Sequence, residues 1–179
     1  RRTSAGLDSI RAIAAEVPEI MLGAGTVTTP EQVELAVEAG ARFVVSPGSP
    51  GDLQDAVADA GVPALLGAGT VTEMMQLADR GWRTMKFFPA EVSGGATYLA
   101  NVGGPLPDLR FCPTGGVNLT NAPDYLALAN VACVGGSWLT PDAAIEAGDW
   151  AAIERLAGEA AGFRAWGLAS TPRRCPAPL

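Results

Sequence analysis

The 179-residue chain contains no histidine, and Lys86 is the sole lysine among its twelve basic residues. The missing imidazole excludes histidine triads, histidine metal ligands and histidine acid–base chemistry, and leaves carboxylates, one amine and bound water to move protons. Three cysteines, Cys112, Cys133 and Cys175, show no paired metal-ligand spacing, and an odd number does not suit a disulfide framework, so a reducing, cytoplasmic setting is expected. No run of roughly 18 apolar residues and no charged-then-apolar leader is present, so neither a membrane span nor a signal peptide is expected. The formal charge of -7, with no basic cluster beyond short pairs such as Arg173-Arg174, lacks the electrostatic footprint of a nucleic-acid binder. An anionic ligand would have to be held by backbone amides or single arginines. Aromatics make up only 6% of a chain that is 48% hydrophobic, so small residues must fill the core, as in closely packed helices and parallel strands.

What the chain does contain is a lysine in an unusual place. Lys86 lies within the apolar run Thr84-Met85-Lys86-Phe87-Phe88-Pro89. An amine buried among aromatic residues lowers its pKa to escape the cost of charge, and the neutral form attacks carbonyls, which guanidinium cannot do. Lys86 is therefore a Schiff-base candidate. The competing reading is a core-edge lysine that reaches water or pairs with Glu91.

A repeat organises the rest. Gly23-Ala24-Gly25-Thr26-Val27-Thr28 returns as Gly67-Ala68-Gly69-Thr70-Val71-Thr72, and Phe43 to Gly48 lies midway, so the period is about 22 residues, one strand plus one helix. Further strands are expected at Thr84 to Pro89, Leu109 to Pro113 and Val131 to Val134. Helices are expected from Ser4 to Val17, with Leu7, Ile10, Ile13 and Val17 on one face, and after Thr29-Pro30-Glu31-Gln32, Ser49-Pro50-Gly51-Asp52 and Thr140-Pro141-Asp142. Six alternating units predict an α/β fold of the (β/α)₈ barrel family with about six of eight units present and the front truncated; an open six-stranded sheet is the structural alternative. The barrel domain is expected over 1–163, and the proline- and arginine-containing stretch 164–179 reads as a flexible tail.

In a parallel barrel, chemistry gathers where the strands end. Two of those ends, Thr114-Gly115-Gly116 and Gly135-Gly136-Ser137, close consecutive strands and offer bare backbones that can aim several amides at one phosphate. With Lys86 two strands earlier, the combination suggests a phosphorylated keto substrate. Arg2 could hold a carboxylate, or serve only as a surface charge near a chain end.

Together with Ser46-Pro47-Gly48, Lys86-Phe87-Phe88-Pro89-Ala90-Glu91, Arg110-Phe111-Cys112-Pro113-Thr114-Gly115-Gly116 and Gly135-Gly136-Ser137-Trp138, the Gly23-Ala24-Gly25-Thr26 segment resembles the 2-keto-3-deoxy-6-phosphogluconate (KDPG) aldolases. The resemblance runs from about Arg2 to about Gly162. It implies a class I aldolase of the Entner-Doudoroff pathway, usually trimeric, that cleaves its phosphosugar acid to pyruvate and glyceraldehyde 3-phosphate without metal or cofactor. By the same resemblance, Lys86 forms the imine, and Arg2, Thr26, Pro47 and Gly48 surround the pyruvyl carboxylate. Phe88 packs on the substrate, Thr114 lines the cavity, and Gly115, Gly116, Gly136 and Ser137 receive the phosphate. The family's proton-shuttling glutamate falls four residues before the position of Arg2, ahead of Arg1, so a catalytically impaired phosphosugar-binding fragment is an alternative. Activity on 4-hydroxy-2-oxoglutarate is another, and a phosphosugar isomerase or epimerase is a third, disfavoured for want of an aligned base.

Overall fold

The computed structural model describes residues 5–167. Helix α1 (Gly6–Glu16) precedes five strand–helix units: β1 (Gly23–Gly25) with α2 (Pro30–Glu38), β2 (Phe43–Val45) with α3 (Gly51–Ala60), β3 (Ala64–Ala68) with α4 (Val71–Asp79), β4 (Thr84–Phe87) with α5 (Gly95–Val102), and β5 (Arg110–Pro113) with α6 (Ala122–Leu126). A 3₁₀ turn at Ser137–Leu139, α7 (Asp142–Ala147) and α8 (Trp150–Gly167) follow. The strands form one parallel sheet in chain order, β1-β2-β3-β4-β5. All five strand ends that follow this direction lie at one edge, as in the wall of a β/α barrel.

The helix signals operate locally as expected. Thr29 caps α2 by accepting from the Gln32 amide, with Pro30 in the first turn. Thr70 and Glu73 form a reciprocal capping box at α4, and the amides of Gly69 and Thr70, both donating to the Glu73 carboxylate, hold it below its ordinary range. Gly40, just past the end of α2, has φ 105°, a conformation that strains any residue with a Cβ.

Three expectations need adjustment. The strand at Val131 to Val134 is reduced to two isolated parallel bridges, Phe111 with Val131 and Thr114 with Gly135. Two residues separate the bridge partners on β5 and three separate them on the other segment, so an extra residue interrupts the ladder there. Helix α1 spans Gly6–Glu16 and holds no fully buried residue; Ile10 packs on the core while Ile13 and Val17 remain 38% and 37% exposed. Its apolar face is thus only partly covered. Helix α8 continues to Gly167, four residues past the Phe163 boundary, and the rest of the proline-containing tail lies outside the described residues.

The core fills the space between sheet and helices, with Val33, Leu53, Leu66, Met74, Leu77 and Leu99 essentially inaccessible. Alternation along β4 decides which face carries chemistry. Met85 and Phe87 point into this core, where the Phe87 ring stacks on Tyr98 of α5 at 5.3 Å. Lys86, between them, must point to the opposite face.

Candidate active site

Lys86 is half-buried, and its Nζ lies 4.5 Å from the centre of the Phe88 ring. Loss of solvent lowers its pKa, with the neighbouring Cys112 acting weakly in the other direction. Among the described residues no carboxylate pairs with it. Glu91, the acid that could have neutralised it, instead accepts the hydroxyl of buried Tyr125. Desolvation without an ion pair is the condition that frees an amine for nucleophilic attack.

Pairing in register sets Gly67, Lys86 and Cys112 side by side on β3, β4 and β5. Gly67 is glycine for a physical reason. A Cβ there would fall 2.2 Å from the carbonyl carbon and oxygen of Pro47 and 2.6 Å from the Gly48 nitrogen. The Pro47-Gly48 peptide therefore folds across the face next to Lys86. It is braced from below: Ser46 Oγ donates to the Gly48 carbonyl at 2.6 Å and accepts from the Gly67 amide at 3.2 Å, while Ser49 Oγ donates to the Gly67 carbonyl at 3.0 Å. A small cavity of about 140 Å³ touches Pro47, Gly48 and Thr28. Thr26, at the end of β1, holds φ 61°, the one positive φ at a non-glycine residue among those described. Such strain costs about 1–3 kcal/mol and clusters where a chain serves a ligand.

On the other side, the Thr114 amide donates to the Phe87 carbonyl at 3.0 Å, which brings the end of β5 beside the Lys86 strand. Thr114 Oγ1 is buried without a hydrogen-bond partner. Gly115 and Gly116 take φ 93° and 82°, and their missing Cβ atoms make room for Phe88 and Glu91: the contacts would be 3.1 Å and 2.6 Å. The Thr114–Gly135 bridge delivers Gly136 and Ser137 to the same corner. Among the described residues, the amides of Gly116, Gly136 and Ser137 donate to no protein acceptor. The Trp138 ring closes over Gly136, where a Cβ would sit 1.9 Å from a ring carbon.

The structure thus gathers Phe88, Thr114, Gly115, Gly116, Gly136 and Ser137 on one side of Lys86 and Pro47 and Gly48 on the other. Thr26 follows β1 at the same edge of the sheet, and Arg2 lies outside the described residues. A larger cavity of about 420 Å³, lined by Glu91, Gly95, Thr97, Asp124 and Tyr125 among others, holds none of these residues. Its size alone does not make it the reaction site; its lining offers no amine that could form an imine, whereas the Lys86 corner does. Sequence reasoning missed the Ser46–Gly67–Ser49 brace, the Trp138 cover and the Glu91–Tyr125 bond, because each depends on contacts between distant segments.

Residues 1–156 match the family described as KDPG and KHG aldolase. The chain belongs to that family. A 2-dehydro-3-deoxy-phosphogluconate aldolase of Pseudoalteromonas atlantica is 51% identical over 159 residues, which cover 89% of this chain and 74% of the relative. A KHG/KDPG aldolase of Escherichia coli is 50% identical with 89% and 75% coverage. Among solved structures, the KDPG aldolase of Legionella pneumophila with pyruvate captured as a covalent carbinolamine superposes with a TM-score of 0.85 at 41% identity, covering 87% of this chain and 75% of that one. The enzyme of Zymomonas mobilis ZM4 with 3-phosphoglycerate gives 0.80 at 39% identity, with 89% and 74% coverage. These superpositions assign the parallel sheet of this aldolase to the (β/α)₈ barrel fold.

Proposed function

We propose that this aldolase cleaves 2-keto-3-deoxy-6-phosphogluconate through an imine on Lys86. The observation that carries the reading is the unpaired, partly desolvated amine of Lys86 near the end of a barrel strand, flanked by the Pro47-Gly48 turn on one side and an amide-rich corner on the other. The amine adds to the C2 ketone and water leaves, giving a protonated imine. The C3–C4 bond then breaks, its electron pair flowing into the imine to form an enamine. The C4 hydroxyl gives its proton to a base and glyceraldehyde 3-phosphate departs. By family resemblance that base is the glutamate whose matching position lies ahead of Arg1. Protonation at C3 and hydrolysis release pyruvate and restore the amine.

Arg2, Thr26, Pro47 and Gly48 hold the pyruvyl carboxylate in this account. Phe88 packs against the substrate, Thr114 lines the cavity and supplies its hydroxyl, and the backbones of Gly115, Gly116, Gly136 and Ser137 take the phosphate. The unengaged amides of the last corner support the phosphate assignment, since backbone N–H groups are good anion ligands. The working form is a cytoplasmic homotrimer, by the family resemblance. The E. coli relative is named for both KHG and KDPG, which favours 4-hydroxy-2-oxoglutarate as a second substrate. That substrate would use Lys86 and leave the phosphate corner empty.

Replacing Lys86 with alanine tests the assignment. Turnover and reductive trapping of pyruvate should fall to background while phosphate-ligand binding, read by calorimetry, persists. Turnover retained by Lys86→Ala would sink the proposal.

A further inference from the structure

Cys112 and Cys133 play no part in the reaction above, yet the fold brings them together. The Thr114–Gly135 bridge fixes the register at this end of the sheet. Cys112 and Cys133 both lie between the Phe111–Val131 and Thr114–Gly135 bridges, so the two bridged segments hold them as neighbours. The Cys112 sulfur reaches toward that second segment: it lies 3.9 Å from where a Gly135 Cβ would be. Cys112 is buried and Cys133 is exposed. Neighbouring strands run about 4.8 Å apart, inside the window of about 4.4–6.8 Å between Cα atoms that a disulfide spans. The Cys133 segment is held by isolated bridges with one extra residue, which leaves it able to make the small shift that bonding the sulfurs requires.

We propose that Cys112 and Cys133 form a dithiol modification site that hydroperoxides convert to an intrachain disulfide beside Lys86. Cys133 is the attacking sulfur, because it is exposed and because the Cys112 thiol donates a hydrogen bond to it, which brings its pKa down to about 7. The same contact, together with burial, pushes the Cys112 thiol up and keeps it protonated. The Cys133 thiolate attacks the peroxide O–O bond, takes one oxygen as a sulfenic acid and, with a proton, releases the other as water or alcohol. Cys112 sulfur then displaces the sulfenic oxygen, a second water leaves, and the S–S bond forms; the two thiols lose two electrons and the peroxide gains them. Lys86 stands in register with Cys112, so the oxidised pair adjoins the amine.

Trypsin leaves both cysteines on one peptide, 111–155, and releases Cys175 on another. The reduced full chain would be treated with hydrogen peroxide, alkylated under denaturing conditions, digested and weighed. The expected product is peptide 111–155 lighter by two hydrogens than its unalkylated reduced form, with both alkylation sites restored by dithiothreitol. In Cys133→Ser, an exposed change that spares the core, Cys112 should remain fully alkylatable after the same treatment. The proposal is overturned if Cys133 accumulates oxygen atoms while Cys112 stays alkylatable. Linkage of Cys133 to Cys175 or to a second chain, or no change under excess peroxide, would overturn it equally.

Discussion

The two corners that flank Lys86 are built in opposite ways. At Pro47-Gly48, side chains tie down carbonyls around the turn, although the Gly48 amide donates to no protein acceptor among the described residues: Ser46 Oγ serves both the Gly48 carbonyl and the Gly67 amide, Ser49 Oγ serves the Gly67 carbonyl, and Gln54 Nε2 ties the Ser49 carbonyl at 2.6 Å. At Gly116 and Gly136-Ser137, amides point away from any protein acceptor among the described residues, and the Thr114 hydroxyl is buried with no partner. The carbonyls of Gly116 and Ser137 are tied: the first accepts from the side-chain amides of Asn118 and Asn121 at 3.3 and 3.1 Å, the second from the Thr140 amide at 3.2 Å. The first corner is a rigid wall whose shape matters. The second leaves its donors unengaged, which is the arrangement that the proposed phosphate binding needs.

Breaking the wall should have the largest effect on stability. Gly67→Ala places a Cβ against backbone that cannot rotate away, so we expect a loss of about 3 kcal/mol in urea unfolding, at the upper end for overpacking, together with loss of pyruvate trapping. Gly116→Ala attacks the other corner: its φ of 82° and a 2.6 Å approach to Glu91 Cγ predict about 1–2 kcal/mol of destabilisation, and phosphate affinity should fall more than pyruvate trapping does. If pyruvate trapping suffers first, the division of labour between the corners is wrong.

The lysine between them adds a pH signature. Burial holds its pKa below the ordinary 10.5, so between the folded value and 10.5 the unfolded chain binds more protons than the native state. Stability should therefore rise with pH across that window, as the native amine is already neutral while the unfolded one still carries charge. Urea titrations against Lys86→Met, which has no such proton, should show the wild type gaining on the variant as pH climbs. The smallest effect belongs to Thr114→Val. Removing a buried hydroxyl that has no partner should leave stability unchanged or raise it by no more than about 1 kcal/mol, while affinity for the phosphorylated substrate drops by a similar amount.

Much of this molecule was legible in its sequence because the signals were local. The doubled Gly-Ala-Gly-Thr-Val-Thr segment marked β1 and β3 with their following turns, Thr29 marked a helix start, and the isolation of Lys86 among apolar residues marked the candidate nucleophile. The apolar run at Val131 to Val134 misled because strand formation there depends on register with β5, and the extra residue between the two bridges cannot be seen from hydrophobicity. Gly67 illustrates the same limit at the site. As one glycine in a turn it says little; its meaning appears only when the Pro47-Gly48 peptide is found lying where its side chain would be.

The central claim concerns one amine, and reductive trapping addresses it directly. The chain would be mixed with pyruvate and sodium borohydride, weighed intact and mapped by peptides, with pyruvate-free protein as control and circular dichroism to establish folding. The account predicts a single reduced pyruvyl adduct on Lys86. A folded chain that acquires no adduct there, or acquires one only on its terminal amine, would contradict it.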